Sequence, residues 1–208
     1  AHGLFPLGEI TKPEVRAIAA SQGFGNADKK DSTGICFIGE KAFKPFLSQF
    51  FLAQPGPMIS DKGEIIGTHD GLMFYTLGQR KGLQIGGKAN AKELPWYVIG
   101  KKIDSNTLLI GQGHDHPALF HPGLSCHDCH WIADHPPKDG AQLTAKIRYR
   151  QTDQACHITM ATGDTMQVVF EQPQWAITPG QSIVFYDRDV CLGGAIISKA
   201  LSQIECNL

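Results

Sequence analysis

Between residues 143 and 198 short apolar runs recur at even intervals, at 143–150, 155–160, 165–171, 182–186 and 190–198. Runs of that length and spacing, pairing with their neighbours across tight turns, predict a small antiparallel barrel or sandwich. Upstream the texture is also β. Pro95-Trp96-Tyr97-Val98-Ile99, a turn at Asp104-Ser105-Asn106 and then Thr107-Leu108-Leu109-Ile110 read as a hairpin, and Asp61-Lys62-Gly63 and His69-Asp70-Gly71 are turn signals between short apolar runs. The stretch Gly111 to Pro122, dense in Gly, His and Pro, reads as a boundary.

Helix signals are confined to the first fifty residues. Residues 3–10 read as a short strand and turn. Thr11-Lys12-Pro13-Glu14 has the form of a capping box with proline in the first turn, followed by an apolar stripe of Val15, Ile18 and Ala19 and a stop at Gly23. Phe43, Phe46, Leu47, Phe50 and Phe51 recur at helical spacing and are expected to face a core. The expected fold class is therefore mainly β with a small α N-terminal part. At 208 residues the chain can bury a substantial core. Its net charge of −1 excludes a generally basic nucleic-acid binder, so any such binding must come from local patches. No apolar run is long enough to span a bilayer, no signal-peptide pattern opens the chain, and six unevenly scattered cysteines do not form a secreted disulfide framework, so a cytoplasmic protein with free thiols is expected. The opening Ala-His-Gly, without an initiator Met, suggests processing or truncation. No internal repeat or low-complexity tract appears.

Four stretches carry candidate chemistry. In Asp31-Ser32-Thr33-Gly34-Ile35-Cys36-Phe37-Ile38-Gly39-Glu40 one cysteine sits in a small-residue loop behind Lys29 and Lys30. Nearby cations favour the reactive thiolate, while the flanking Ile35 and Phe37 equally suit a buried structural cysteine. Leu77-Gly78-Gln79-Arg80-Lys81-Gly82-Leu83 alternates glycine with polar and basic groups, as would suit either a loop lying on a phosphate backbone or a solvated connection. Cys126-His127-Asp128-Cys129-His130 matches the spacing of haem attachment and half of a zinc site, but the second half of a zinc pattern and the setting for haem are both missing. It is read as a chance cluster on a strand edge, with no metal expected. In Leu143 to Gln151 the alternation puts Leu143, Ala145, Ile147 and Tyr149 on one face, and Lys146, Arg148 and Arg150 on the other at intervals of about 7 Å, a strip suited to successive phosphates with Tyr149 at its end for stacking. An ordinary solvated barrel face is the alternative.

Several long motifs resemble one family. Lys29 to Glu40, Gly71-Leu72-Met73-Phe74-Tyr75-Thr76-Leu77-Gly78-Gln79-Arg80-Lys81-Gly82, Arg148-Tyr149-Arg150-Gln151-Thr152-Asp153, Thr178-Pro179-Gly180-Gln181 and Cys191-Leu192-Gly193-Gly194 occur in the order found in the tRNA-specific 2-thiouridylases. The resemblance runs from about residue 4 to about residue 198. It implies a tail of an α/β ATP-pyrophosphatase domain at 1–40 carrying the cysteine loop, a small β-rich central domain at 41–118, and a C-terminal antiparallel β-barrel at 119–208. It further implies a sulfurtransferase that replaces the oxygen on carbon two of the wobble uridine of tRNA by sulfur. Cys36 would be catalytic, receiving sulfur as a persulfide, and Arg148, Tyr149 and Gln181 would touch tRNA. ATP, with Mg2+, activates the uridine, and the expected partners are tRNA and a sulfur-donor protein, either a sulfur carrier or a cysteine desulfurase; a monomer is expected and no membrane. A second cysteine of the family either releases hydrosulfide or closes a disulfide with the first. The Ser-Gly-Gly-x-Asp-Ser phosphate loop of that family is absent from these 208 residues, so the chain alone is expected to be inactive. A non-catalytic RNA-binding barrel, or a zinc domain built on Cys126 and Cys129, are the competing readings.

Overall fold

The computed structural model describes residues 3–30, 43–85, 94–133, 135–149, 151–160 and 165–206. The chain divides into two compact units, Ala1–Gln49 and Phe50–Leu208. In the first, α1 spans Lys12–Ser21 behind Thr11, whose backbone N–H and hydroxyl both donate to the Glu14 carboxylate at 2.7 Å. Those contacts hold the Glu14 pKa below the usual carboxylate value. None of the helix's residues is buried, and Arg16 Nη2 donates to Lys29 O at 3.0 Å beyond the helix. Residues 3–10 form turns rather than the expected strand, with Gly8 N–H donating to Phe5 O and Ile10 N–H to Leu7 O. The second helix, α2, covers only Phe43–Leu47. One turn cannot carry Phe50 and Phe51 onto its face, and both are exposed, contrary to the core position expected for them.

In the second unit, β1 (Gly56–Ser60), β2 (Ile65–His69), β3 (Trp96–Lys102) and β4 (Thr107–Gln112) make a mixed sheet in the order β2-β1-β4-β3. The expected hairpin is β3–β4, antiparallel with a bulge at Val98–Gly100, while β1 runs parallel to β4. Its two turns are tied by His69, which is fully buried: Gly71 N–H donates to Nδ1, which fixes the tautomer, so Nε2–H donates to Asn106 O at 3.0 Å.

After a short 3-10 turn at Pro117–Leu119, β5 (Phe120–Trp131), β6 (Gln142–Lys146), β7 (Gln154–Met160), β8 (Thr165–Trp175), β9 (Ser182–Asp187) and β10 (Val190–Leu201) close into an antiparallel barrel in the order β10-β5-β8-β7-β6-β9. β6 to β10 fall at the five expected runs, whereas β5 is a sixth strand whose first residues lie in the Gly111 to Pro122 stretch read as a boundary. Alternate residues Met166, Val168 and Phe170 of β8, Ile183 and Phe185 of β9, and Leu124 and Cys126 of β5 fill the interior, so the barrel encloses a packed core. A terminal turn of helix, α3 (Gln203–Cys206), is capped by Glu205, which accepts from Ser202 N–H and hydroxyl and from Lys199 Nζ. Among the described residues no helix is long and apolar enough to cross a membrane.

Candidate nucleic-acid interface

The expected strand over 143–150 ends early. β6 stops at Lys146 because the next amide, Ile147 N–H, donates to the side chain of Gln151 at 2.9 Å instead of to a neighbouring strand. Gln151 Nε2 in turn donates to Gln174 Oε1 at 2.8 Å, and Gln174, only 4% exposed, donates to Gln154 Oε1 and Gln172 O. This amide relay bends the chain at 147–151, closed by Gln151 N–H donating to Arg148 O. Leu143, Ala145 and Ile147 do share the core face, but Tyr149 leaves it and stands 92% exposed. Of the expected strip, Lys146 and Arg148 are not on one straight strand, since β6 ends at Lys146. Lys146 pairs with Asp153 at 3.2 Å and lies over the Tyr186 ring, and Arg150 falls outside the described residues.

Arg148 is held apart from Lys146 in a mount of its own. Its guanidinium lies 5.0 Å from the centroid of the Trp175 ring, and Nη2 donates to Ala176 O at 2.9 Å. Trp175 is itself fixed: Nε1–H donates to His114 O at 2.9 Å, the His114 ring stacks on it at 4.6 Å, and Tyr97 meets it edge-on. On the other side the chain passes so close at Gly78 (φ +78°) that a Cβ there would lie 2.5 Å from the indole, and the positive φ alone disfavours any L side chain. The glycine-rich loop thus packs on the tryptophan that carries Arg148, leaving Arg80 and Lys81 exposed. Partial burial lowers the Arg148 pKa from its ordinary value, yet a guanidinium starting that high stays charged. Gln181 follows the Thr178-Pro179-Gly180 turn, exposed, with Gln181 N–H donating to Thr178 O and its own carbonyl accepting from Ile197 N–H. A stacked, oriented cation followed by an exposed phenol ring offers what unpaired nucleotides take, a phosphate partner and a stacking surface.

Trp175, His114, Gln151 and Gln174 were not anticipated as site residues. Trp175 lies 27 positions from Arg148, and the two meet where Gln151 Nε2 donates to Gln174 Oε1 and Arg148 Nη2 donates to Ala176 O. Cys36 lies outside the described residues.

The Cys126 cluster has a different setting. Residues Gly123–His127 of β5 are paired on both sides, with β10 and with β8, so the cluster begins in an interior strand and not on an edge. Cys126 is fully buried, and its pKa is pushed up to about 12, first by burial and then by the neighbouring Cys129 thiol. His127 turns outward to Ser198 Oγ at 2.8 Å, and Asp128 takes a positive φ of 51° where the β5–β10 register shifts. Among the described residues no group of three or more His, Cys, Asp or Glu side chains comes together to hold a metal.

Three family models match consecutive parts of the chain: a tRNA methyl transferase HUP domain at residues 1–40, a tRNA methyl transferase PRC-barrel domain at 44–112, and an aminomethyltransferase beta-barrel domain at 122–197. Proteins named tRNA-specific 2-thiouridylase MnmA match almost the whole chain: one from Psychromonas ingrahamii is 54% identical over 98% of it, and one from Alcanivorax borkumensis is 56% identical over 94%. A third, from Idiomarina loihiensis, is 51% identical over all 208 residues. The chain belongs to the tRNA-specific 2-thiouridylase family. It spans about half the length of these relatives, 54–56% of each, and matches their C-terminal portion. Within this chain the barrel match contains Arg148, Tyr149 and Gln181, and the HUP-domain match contains Cys36.

Proposed function

We propose that this chain is the sulfur-carrying and tRNA-gripping part of a tRNA 2-thiouridylase, acting in the cytoplasm as a monomer. The observation that carries the proposal is identity above one half, across nearly the whole chain, to proteins named for that activity. Arg148 and Tyr149 support it: one cation is fixed on Trp175, and the next ring in the chain is turned fully outward. In this reading the turn at 147–151 and Gln181 hold tRNA through phosphate and stacking contacts. Cys36 takes sulfur from a donor protein, a sulfur carrier or a cysteine desulfurase, as a persulfide. The terminal sulfur attacks carbon two of the wobble uridine, whose oxygen leaves as AMP. A second cysteine then attacks the Cys36 sulfur, closing a disulfide with it and leaving the terminal sulfur on the uridine; in the other order, that cysteine attacks Cys36 first, and the terminal sulfur leaves as hydrosulfide and is itself the nucleophile at carbon two. ATP, with Mg2+, supplies the activation, bound by the half of the relatives that this chain does not match. A persulfide is a soft, acidic nucleophile, and the activated carbon is the electrophile it needs.

Thiolation assayed on the full-length enzyme with Cys36→Ser tests the reading. Loss of 2-thiouridine, with tRNA affinity kept within about a factor of two as expected when only a nucleophile is removed, is the predicted result. Thiolated tRNA made by that variant would refute the role of Cys36. The chain alone is predicted to bind tRNA but, with ATP and a sulfur donor, to make no 2-thiouridine.

A further inference from the structure

A cavity of about 840 Å³ opens where the mixed sheet meets the barrel. That is within the range of roughly 300–1,000 Å³ typical of small-molecule sites. Ile99, Leu119 and Ile177 form its apolar wall, and Lys101, His121 and Gln181 bring polar groups into the lining. Two of these groups are left wanting. Among the described residues no carboxylate pairs with Lys101, which is half-buried, and burial lowers its pKa. His121 Nδ1 is closed off from solvent and has no hydrogen-bond partner. Burial lowers the His121 pKa, and the Glu205 carboxylate, already engaged by Lys199 and Ser202, only opposes that. Buried polar groups are nearly always satisfied, and a desolvated ammonium without a counter-charge is costly. The lining therefore asks for an anion beside a flat apolar body, with Gln181 at hand for hydrogen bonds to a base edge. The cavity also adjoins the mount of Arg148, because Ala176, whose carbonyl holds the guanidinium, is part of its lining.

We infer that this cavity receives one unstacked nucleotide of the bound RNA, its base against the Ile99–Leu119–Ile177 wall and a flanking phosphate on the Lys101 ammonium. The inference rests on the tRNA-binding reading and names a second contact for it. A free nucleoside monophosphate offers the same chemistry, so the test separates the two sources.

Binding is measured for the full chain with an RNA hairpin carrying a one-nucleotide bulge, with the same hairpin made abasic at that position, and with AMP and UMP. The proteins compared are the native chain, Lys101→Met, Lys101→Arg and Arg148→Ala. The native chain is expected to favour the bulged hairpin over the abasic one by about tenfold, the scale of a single base contact. Lys101→Met should erase that preference, Lys101→Arg should restore it, and Arg148→Ala should weaken both hairpins alike. Restoration by arginine also shows that the methionine variant lost charge and not fold. Equal binding of the two hairpins by the native chain, or a preference kept in Lys101→Met, overturns the inference while leaving the tRNA reading in place. Lys101-dependent binding of AMP or UMP without discrimination between the hairpins overturns it in favour of a free-nucleotide site. Failure to bind either hairpin removes the tRNA reading and the inference with it.

Discussion

The barrel contains two stretches that look like functional motifs in sequence, Cys126–His130 and Arg148–Asp153, and the fold treats them in opposite ways. The first lies in a strand, and its leading thiol points into the packed interior, where desolvation holds it as a neutral thiol. The second begins where a strand is made to stop, and the bend that stops it turns one ring to solvent and lays one cation on an indole. Burial, more than spacing, separates a structural cysteine pair from a candidate binding site. The glutamine relay makes the difference, because it satisfies Ile147 N–H and lets the chain leave the sheet without stranding a buried donor.

Substitutions on each side should break this contrast in a graded way. The largest effect is expected in the core that encloses Cys126. Phe185→Ala, at a fully buried position packed against Trp131, should cost about 3–5 kcal/mol in denaturant unfolding. Cys126→Ser should cost less, about 1–3 kcal/mol, because a hydroxyl would replace a fully buried thiol whose contact with Met166 O is 3.5 Å long. Stability equal to the native chain, or zinc copurifying with it and lost in the serine variant, would reverse the structural assignment.

The same thiol gives a pH signature. A group whose folded pKa is raised binds its proton more tightly when folded, so its contribution is complete below the unfolded pKa, near 9, and is lost as pH rises toward about 12. Cys156, raised to about 12 by burial, acts in the same direction. Unfolding midpoints should fall between pH 9 and 12, and more steeply for the native chain than for Cys126→Ser. Parallel slopes would contradict the burial argument. The smallest stability effect is expected at the exposed ring: Tyr149→Ala should change the unfolding free energy by no more than about 0.5 kcal/mol, as for surface positions generally, yet weaken binding of single-stranded RNA. A large loss of stability would mean that the ring supports the fold.

The strands β6 to β10 were legible because they alternate between core and solvent, and a period of two survives without knowledge of the partners; β5 was not, since its burial does not alternate regularly and its start lies among the Gly, His and Pro of 111–122. The capping box at Thr11 was legible for a similar reason, since its contacts are all within one turn. The early end of β6 was not, because Ile147 continues the alternation as a buried residue and only its backbone partner, a side chain four positions on, reveals the bend. The aromatic run at 43–51 misled in the opposite sense. Its helical spacing is real, but α2 ends at Leu47 and the later rings are exposed. Arg148, Tyr149 and Gln181 could be named from the motifs, whereas the Trp175 mount depends on side chains far apart in the chain meeting in the fold, and no local pattern encodes that.

The central claim is that the mounted Arg148 neutralises a tRNA phosphate. Equilibrium binding of tRNA to the native chain and to Arg148→Ala over a range of salt concentrations tests it most directly. A weaker complex, with the slope of log K against log salt reduced in magnitude by about one, is the predicted result; equal affinity and an unchanged slope would contradict it.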